Sequence, residues 1–335
     1  MDAVERATLL EEVEGFNKLR AYAEVLALMR NQPVEVRKTE PLLGYYFAVA
    51  LQQTGSEIEA HQVIEQVELV AGLHRGDFLH RRVRNLQGML AIGSGDLTAA
   101  ESYLAEAFEA AHESGDRVLA ALAVAHQGIV ADIRCDWTKA LACYHRSKFY
   151  WETGGSFFYL GLCQHNLGMT FRQLQLMEQA DASLCEAIRT FMRYGQPDDV
   201  CATEIERALL ACIQGDLTFA KAMICRALER ADRTKHRKLQ GEALRVLGMV
   251  QFESGDLKGA RVSLRRSVRL ARSLRTKMLW AEANETMAFV DMASGRTKAA
   301  ERRRQLAIAV YRQMGATVRA DRVGGPREMV HSSAM

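Results

Sequence analysis

GMVQFESGDLKGARVSLRRSVRLA, residues 248–271, reads as the end of one helix, a turn and a second helix. Upstream, Ala243, Val246, Leu247, Val250 and Phe252 follow helical spacing rather than alternation. Gly255 tolerates the left-handed backbone that closes a helix. Asp256 can accept hydrogen bonds from the free N–H groups that open the next one. Leu257, Ala260, Leu264, Val268 and Ala271 then lie on one stripe of the second helix.

The same unit recurs along the chain. A turn residue stands every 40 positions, at Gly15, Gly55, Gly95, Cys135, Gln175, Gly215, Gly255 and Gly295. Five positions later comes Ala60, Ala100, Ala140, Ala180, Ala220, Ala260 or Ala300. Seven positions earlier is a small residue: Ala48, Gly88, Gly128, Gly168, Ala208, Gly248 or Ala288. A fixed period of this length predicts stacked helix pairs, each burying its apolar face against the next. The alanines are expected where two antiparallel helices approach closely beside the turn. Cys135 and Gln175 depart from the turn glycine, and Arg304 replaces the leucine of Leu104, Leu184 and Leu264. The helix over 297–314 therefore reads as a terminal repeat with a wetter outer face.

Residues 88–111 and 248–271 resemble tetratricopeptide repeats: a Gly-centred first helix, a Gly-Asp turn, then Ala and a large apolar residue. The period is longer than the common 34-residue form. It is similar to the subclass found in bacterial regulators of the MalT and Rap kinds, kinesin light chains and Pins-type adaptors. The resemblance implies an all-α, right-handed superhelical solenoid of about eight helix-pair repeats. It also implies a concave face, built from the first helices, that takes peptides, partner domains or small effectors. The expected organisation is a degenerate repeat over 1–40, seven repeats over 41–315, and a polar, disordered tail over 316–335. The resemblance to bacterial regulators carries the expectation of a cytoplasmic role in signalling or transcription control.

Composition agrees with a repeat protein. The chain has 335 residues, 48% of them apolar, and four prolines, none required inside a predicted helix except at a first turn. No apolar run reaches membrane-spanning length, and the acidic, amphipathic N-terminus is not a secretory signal. The seven cysteines form no CxxC pair and no zinc-ligand spacing, so they read as small apolar residues of a reduced cytoplasm. No phosphate loop, dinucleotide fingerprint, HExxH or nucleophile elbow occurs. The expectation is a non-enzymatic module with no cofactor.

Candidate contact residues come from the first helices and the central aromatics. Ten before each turn residue stand Tyr45, Asn85, Ala125, His165, Ile205, Arg245 and Glu285. Three before it stand Gln52, Ile92, Asp132, Arg172, Cys212, Phe252 and Met292. These rows vary from repeat to repeat, as a face specialised for one ligand would. The polar candidates for a peptide or protein partner are Arg82, Asn85, His165, Asn166, Arg172 and Arg245. Tyr45, Tyr150 and Trp151 are candidate apolar anchors. By the resemblance, Asn166 before Leu167-Gly168 matches the asparagine that bonds the ligand backbone, and an amide both donates and accepts. Residues 144–159 hold seven of the 24 aromatics, readable as an anchor or as a packing wedge.

Charge is uneven. Residues 1–220 carry 19 Lys and Arg against 30 Asp and Glu, a balance of −11, whereas residues 221–335 carry 25 against 11, a balance of +14. Arg261, Arg265, Arg269 and Arg272 recur at spacings of four and three, with Arg303 further on. Three readings stay open for this basic patch: a solvated outer face, a dock for an acidic partner such as the N-terminal half of a neighbouring copy, and nucleic-acid binding. Neither interleaved aromatics nor a DNA-binding motif accompanies it.

Overall fold

The computed structural model describes residues 3–72, 74, 77–153 and 156–325, and among them every regular element is helical. The chain divides into two compact units, Met1–Gly93 with Thr98–His126, and Ser94–Leu97 with Gln127–Met335.

The first unit begins with α1 (Ala3–Lys18), α2 (Tyr22–Arg30) and the short α3 (Val34–Thr39). These stand where the sequence places a degenerate repeat. The pair α4 (Pro41–Gln53) and α5 (Glu57–Ala71) follows, then α6 (Phe78–Ser94), α7 (Leu97–Glu113) and the start of α8 (Arg117–Ile133). Leu9 and Val13 of α1, Val25 and Met29 of α2, and Phe47 and Leu51 of α4 share one buried cluster. The truncated α2 and α3 together replace one full second helix.

The second unit continues with α9 (Trp137–Glu152), α10 (Phe157–Gln173), α11 (Met177–Arg193), α12 (Pro197–Ile213) and α13 (Leu217–Arg233). It ends with α14 (Arg237–Glu253), α15 (Leu257–Ser273), α16 (Lys277–Ala293), α17 (Thr297–Gln313) and α18 (Thr317–Gly324). Each helix packs against its successor in antiparallel pairs.

The turns explain the period. Asp256 N–H bonds the Gln251 carbonyl at 2.8 Å and Gly255 N–H the Phe252 carbonyl at 3.0 Å, the two bonds of a Schellman closure. Asp256 then caps α15, its Oδ1 accepting from Gly259 N–H at 2.8 Å. One aspartate thus ends one helix and starts another. Gly255 holds φ +82°, and Cys135 and Gln175 take the same left-handed region at 64° and 62°. The turns between pairs use it too, at Gly115, Gly195, Lys235, Arg275 and Gly315. The backbone therefore repeats every 20 residues, whereas the side-chain pattern repeats every 40.

The Gly and Ala rows mark the closest helix approach. A Cβ added to Gly168 would lie 2.6 Å from Leu184 Cγ and 3.2 Å from the Ala180 carbonyl oxygen, and Gly248 stands likewise to Leu264 and Ala260. The seven repeat alanines are 0–2% exposed. Arg304, at the leucine position of the last pair, pairs with Glu301 and donates to the Val323 and Gly324 carbonyls at 3.1 and 3.0 Å, capping α18. Where the sequence places a tail from residue 316, Thr317–Gly324 are therefore helical. Residues 326–335 of that tail lie outside the described residues, as do Gly154 and Gly155.

Candidate functional site

Within the second unit, α10, α12, α14 and α16 contact one another directly, whereas the second helices of each pair make no comparable contact among themselves. The first helices are thus the inner, more crowded layer of this unit. They carry the face on which His165, Asn166, Arg172 and Arg245 were expected.

That face is a ladder of opposite charges. Arg172 Nη2 lies 3.1 Å from Glu206 Oε2, Arg245 Nε lies 3.5 Å from Glu282 Oε2, and Arg319 Nη1 of α18 lies 3.2 Å from Glu282 Oε1. The guanidinium groups are only 11–14% exposed. Burial pushes Glu206 up, but Arg172, His165 and Arg245 outweigh it and hold the carboxyl below its ordinary range. Burial raises Glu242 and Glu285, and neighbouring carboxylates raise them further; Tyr311 partly offsets this by donating to Glu285 Oε2 at 2.8 Å. Glu242 lies 4.0 Å from Lys238, and Lys238 and Arg245 only partly offset its burial. Such a carboxylate gains most from an incoming cation.

His165, which feels both Glu206 and Arg172, sits at the head of the ladder, and Asn166 follows it on α10. His165 Nδ1 is 3.0 Å from Thr203 Oγ1, whose own proton goes to the Asp199 carbonyl at 2.8 Å. The neutral ring therefore donates from Nδ1, and burial lowers its pKa. The half-buried Asn166 side chain makes no hydrogen bond to protein among the described residues. Nearby, Asp132 accepts from Thr170 Oγ1 at 3.0 Å and from the Tyr144 hydroxyl at 3.4 Å. Burial raises its pKa to about 6 despite the pull of Thr170, Arg319 and Arg172.

The remaining candidates scatter. Tyr45 packs edge-on to Tyr46 at 5.4 Å in the first unit's core. Arg82 bonds Asp116 Oδ2 at 2.9 Å and lies 3.7 Å over the Phe78 ring. Asn85 is buried, its Oδ1 2.9 Å from His126 Nδ1. Asn85 Oδ1 can only accept, so the ring donates from Nδ1, and burial lowers the His126 pKa to about 4. Trp151 is a correction to the apolar-anchor expectation. It is 3% exposed, donates to Ser147 Oγ at 2.9 Å and stacks on Tyr159 at 4.8 Å, so it is packing between α9 and α10. Tyr150 is half-buried beside Phe149, which is 61% exposed.

The basic patch separates into two sets. Arg261 and Arg303, with Arg296, surround the buried Asp291 carboxylate at 3.7, 3.0 and 2.9 Å, so the first two are structural. Arg265, Arg269 and Arg272 are exposed on α15.

Sequence reading missed Glu206, Glu282, Arg319 and Asp291. Glu242 and Glu282 share a position 13 before the turn, the row that also holds Arg82. Tabulating that row would have found them. Arg319 lay in the residues taken as tail.

No family profile matches the sequence, and no curated protein matches it. Solved structures do. A Rap protein complexed with competence and sporulation factor superposes with a TM-score of 0.66 at 12% identity over 85% of this chain and 81% of that one. NprR in complex with its cognate peptide NprX gives 0.59 at 15% identity over 82% of each chain. Aspartyl phosphate phosphatase F from Bacillus subtilis gives 0.58 at 12% identity over 97% and 93%. Likeness at this identity shows the fold: the chain is built of tetratricopeptide-type helix pairs like those of the Rap regulators.

Proposed function

We propose that this chain is a regulatory recognition module that binds a peptide or protein segment on the inner-helix face of its second unit. The observation that carries the reading is the half-buried Asn166 amide, which has no side-chain hydrogen bond among the described residues, on the same helix α10 that carries Arg172 of the Arg172–Glu206 pair. An amide there meets a ligand's backbone N–H and C=O together, as a peptide requires. Glu242 supplies the place for a cationic group of the ligand. Two of the similar folds were solved with peptides bound, competence and sporulation factor and NprX, which supports the same use here.

The role proposed is binding rather than catalysis. His165 donates to Thr203 rather than taking its proton, and Arg172, Arg245 and Arg319 lie on carboxylates, an arrangement that supports holding a ligand rather than activating a nucleophile. Control of a signalling or transcription partner in a bacterial cytoplasm follows as the proposed setting. Among the described residues no helix is long and apolar enough to cross a membrane.

The test is parallel affinity capture from host lysate by the wild-type chain and by Asn166→Ala, with mass spectrometry of the bound peptides and proteins. A species held by wild type and lost by the variant, with unchanged thermal melting, supports the site. Equal capture by both, or none by either, overturns it.

A further inference from the structure

We propose that the cleft between α15 and α17 is an interface for a second copy of this chain, and that the acidic first helix α1 of that copy fills it.

The cleft has a volume of about 430 Å³ and is lined by Val262, Arg265, Val268, Arg269, Met287 and Arg303. Its chemistry is mixed. Val262 is 59% exposed on a helix otherwise rich in arginine. Arg303 is committed to Asp291 at 3.0 Å and to Asn284 at 2.8 Å. Arg265, Arg266, Arg269 and Arg272 have no carboxylate partner among the described residues. The surface thus offers several unpaired cations around an apolar floor. A phosphate backbone would satisfy the cations but leave Val262 and Val268 in water. A protein face with carboxylates and apolar groups satisfies both.

The chain carries the complement. On the first unit, Val4, Glu5, Thr8 and Glu12 of α1 line, with Leu28 and Gln32, a second cleft of about 580 Å³. Val4 is 75% exposed. Val4, Thr8 and Glu12 form one row at spacings of four, as do Arg261, Arg265 and Arg269. Rows of this kind interlock when helices pack ridge into groove. The α1 ridge would enter the α15–α17 cleft, and the α15 ridge the α1–α2 cleft. The balance of −11 over residues 1–220 and +14 over 221–335 adds long-range attraction of the same sense. The two surfaces are unlike, so the contact is heterologous and can add copies beyond two.

Sedimentation velocity of the full chain, in about 30 mM and about 500 mM salt, tests this, because screening shortens across that range. Concentration-dependent association at low salt that dissolves at high salt is expected. Arg265→Glu with Arg269→Glu should abolish it, and so should Glu5→Arg with Glu12→Arg. Mixing the two charge-reversed proteins should restore a complex, because the reversed cleft then meets the reversed helix; this also shows that both variants are folded. A chain that stays monomeric at low salt and high concentration overturns the proposal, as does association indifferent to either reversal. A monomer that binds a DNA duplex through Arg265 and Arg269 reassigns the cleft to nucleic acid and overturns it too.

Discussion

Arg172 Nη2 on α10 lies 3.1 Å from Glu206 Oε2 on α12, so an ion pair ties two successive first helices across the inner face. Both side chains are nearly buried, at 11% and 14% exposure. Removing one partner strands the other charge, whereas removing both does not. Arg172→Ala should cost about 3 kcal/mol in urea unfolding, and Arg172→Met with Glu206→Leu should recover most of it. A double variant less stable than the single would show that the pair itself holds the helices together.

The Gly168–Leu184 contact is a steric lock. A Cβ on Gly168 would sit 2.6 Å from Leu184 Cγ. Gly168→Ala should cost about 1–3 kcal/mol through overpacking, and Leu184→Ala about 2–5 kcal/mol through the cavity it leaves. The two together should cost clearly less than their sum, because each relieves the other. Additive losses in a double-mutant cycle would separate the residues.

Gln175 occupies a turn with φ 62°, where most of its repeat-mates carry glycine. Gln175→Gly should stabilise by about 1 kcal/mol, and Gly255→Ala should destabilise by a similar amount. Comparing denaturant midpoints at constant slope checks both, and no gain from Gln175→Gly would mean that the side chain offsets its own strain.

Asp132 makes stability depend on pH. Its folded pKa is raised to about 6 from an ordinary 3.8, so its favourable contribution is full below about pH 4 and is lost as pH rises through 6. Asp132→Asn should therefore stabilise the chain by about 2–3 kcal/mol at pH 8, with the difference closing near pH 4. His126 acts oppositely: its folded pKa is lowered to about 4 from 6.5, so its contribution is present above 6.5 and lost as pH falls towards 4. An Asp132→Asn difference that stays constant with pH would show that the carboxyl titrates normally.

Much of the fold was legible because its causes are local. The Gly and Ala rows name the turn and the closest backbone approach directly, and Asp256 announces both the end of α14 and the start of α15. The second set of turns was only partly legible: Gly115, Gly195 and Gly315 signal it, whereas Lys235 and Arg275 adopt a glycine-like backbone without a glycine. Spacing likewise placed His165 and Arg172 on α10 and Arg245 on α14 in recurring inner-helix rows, with Asn166 beside His165 in sequence, but not their partners. Glu206 stands one residue off the row that holds His165 and Arg245, where its repeat places Ile205.

By itself, then, the sequence determined the repeat, the helix pairing and the inner row of polar residues, because these follow from backbone sterics and helical periodicity within about 40 residues. Only the tertiary structure decided which of those residues are already spent. Trp151 and Asn166 were both candidate contact residues, yet packing buries the first against Tyr159 and leaves the second without a side-chain hydrogen bond among the described residues. Arg261 and Arg265 sit one helical turn apart, yet Asp291, on the next helix, neutralises only the first. Such pairings depend on distances between helices, which a single chain's spacing does not encode.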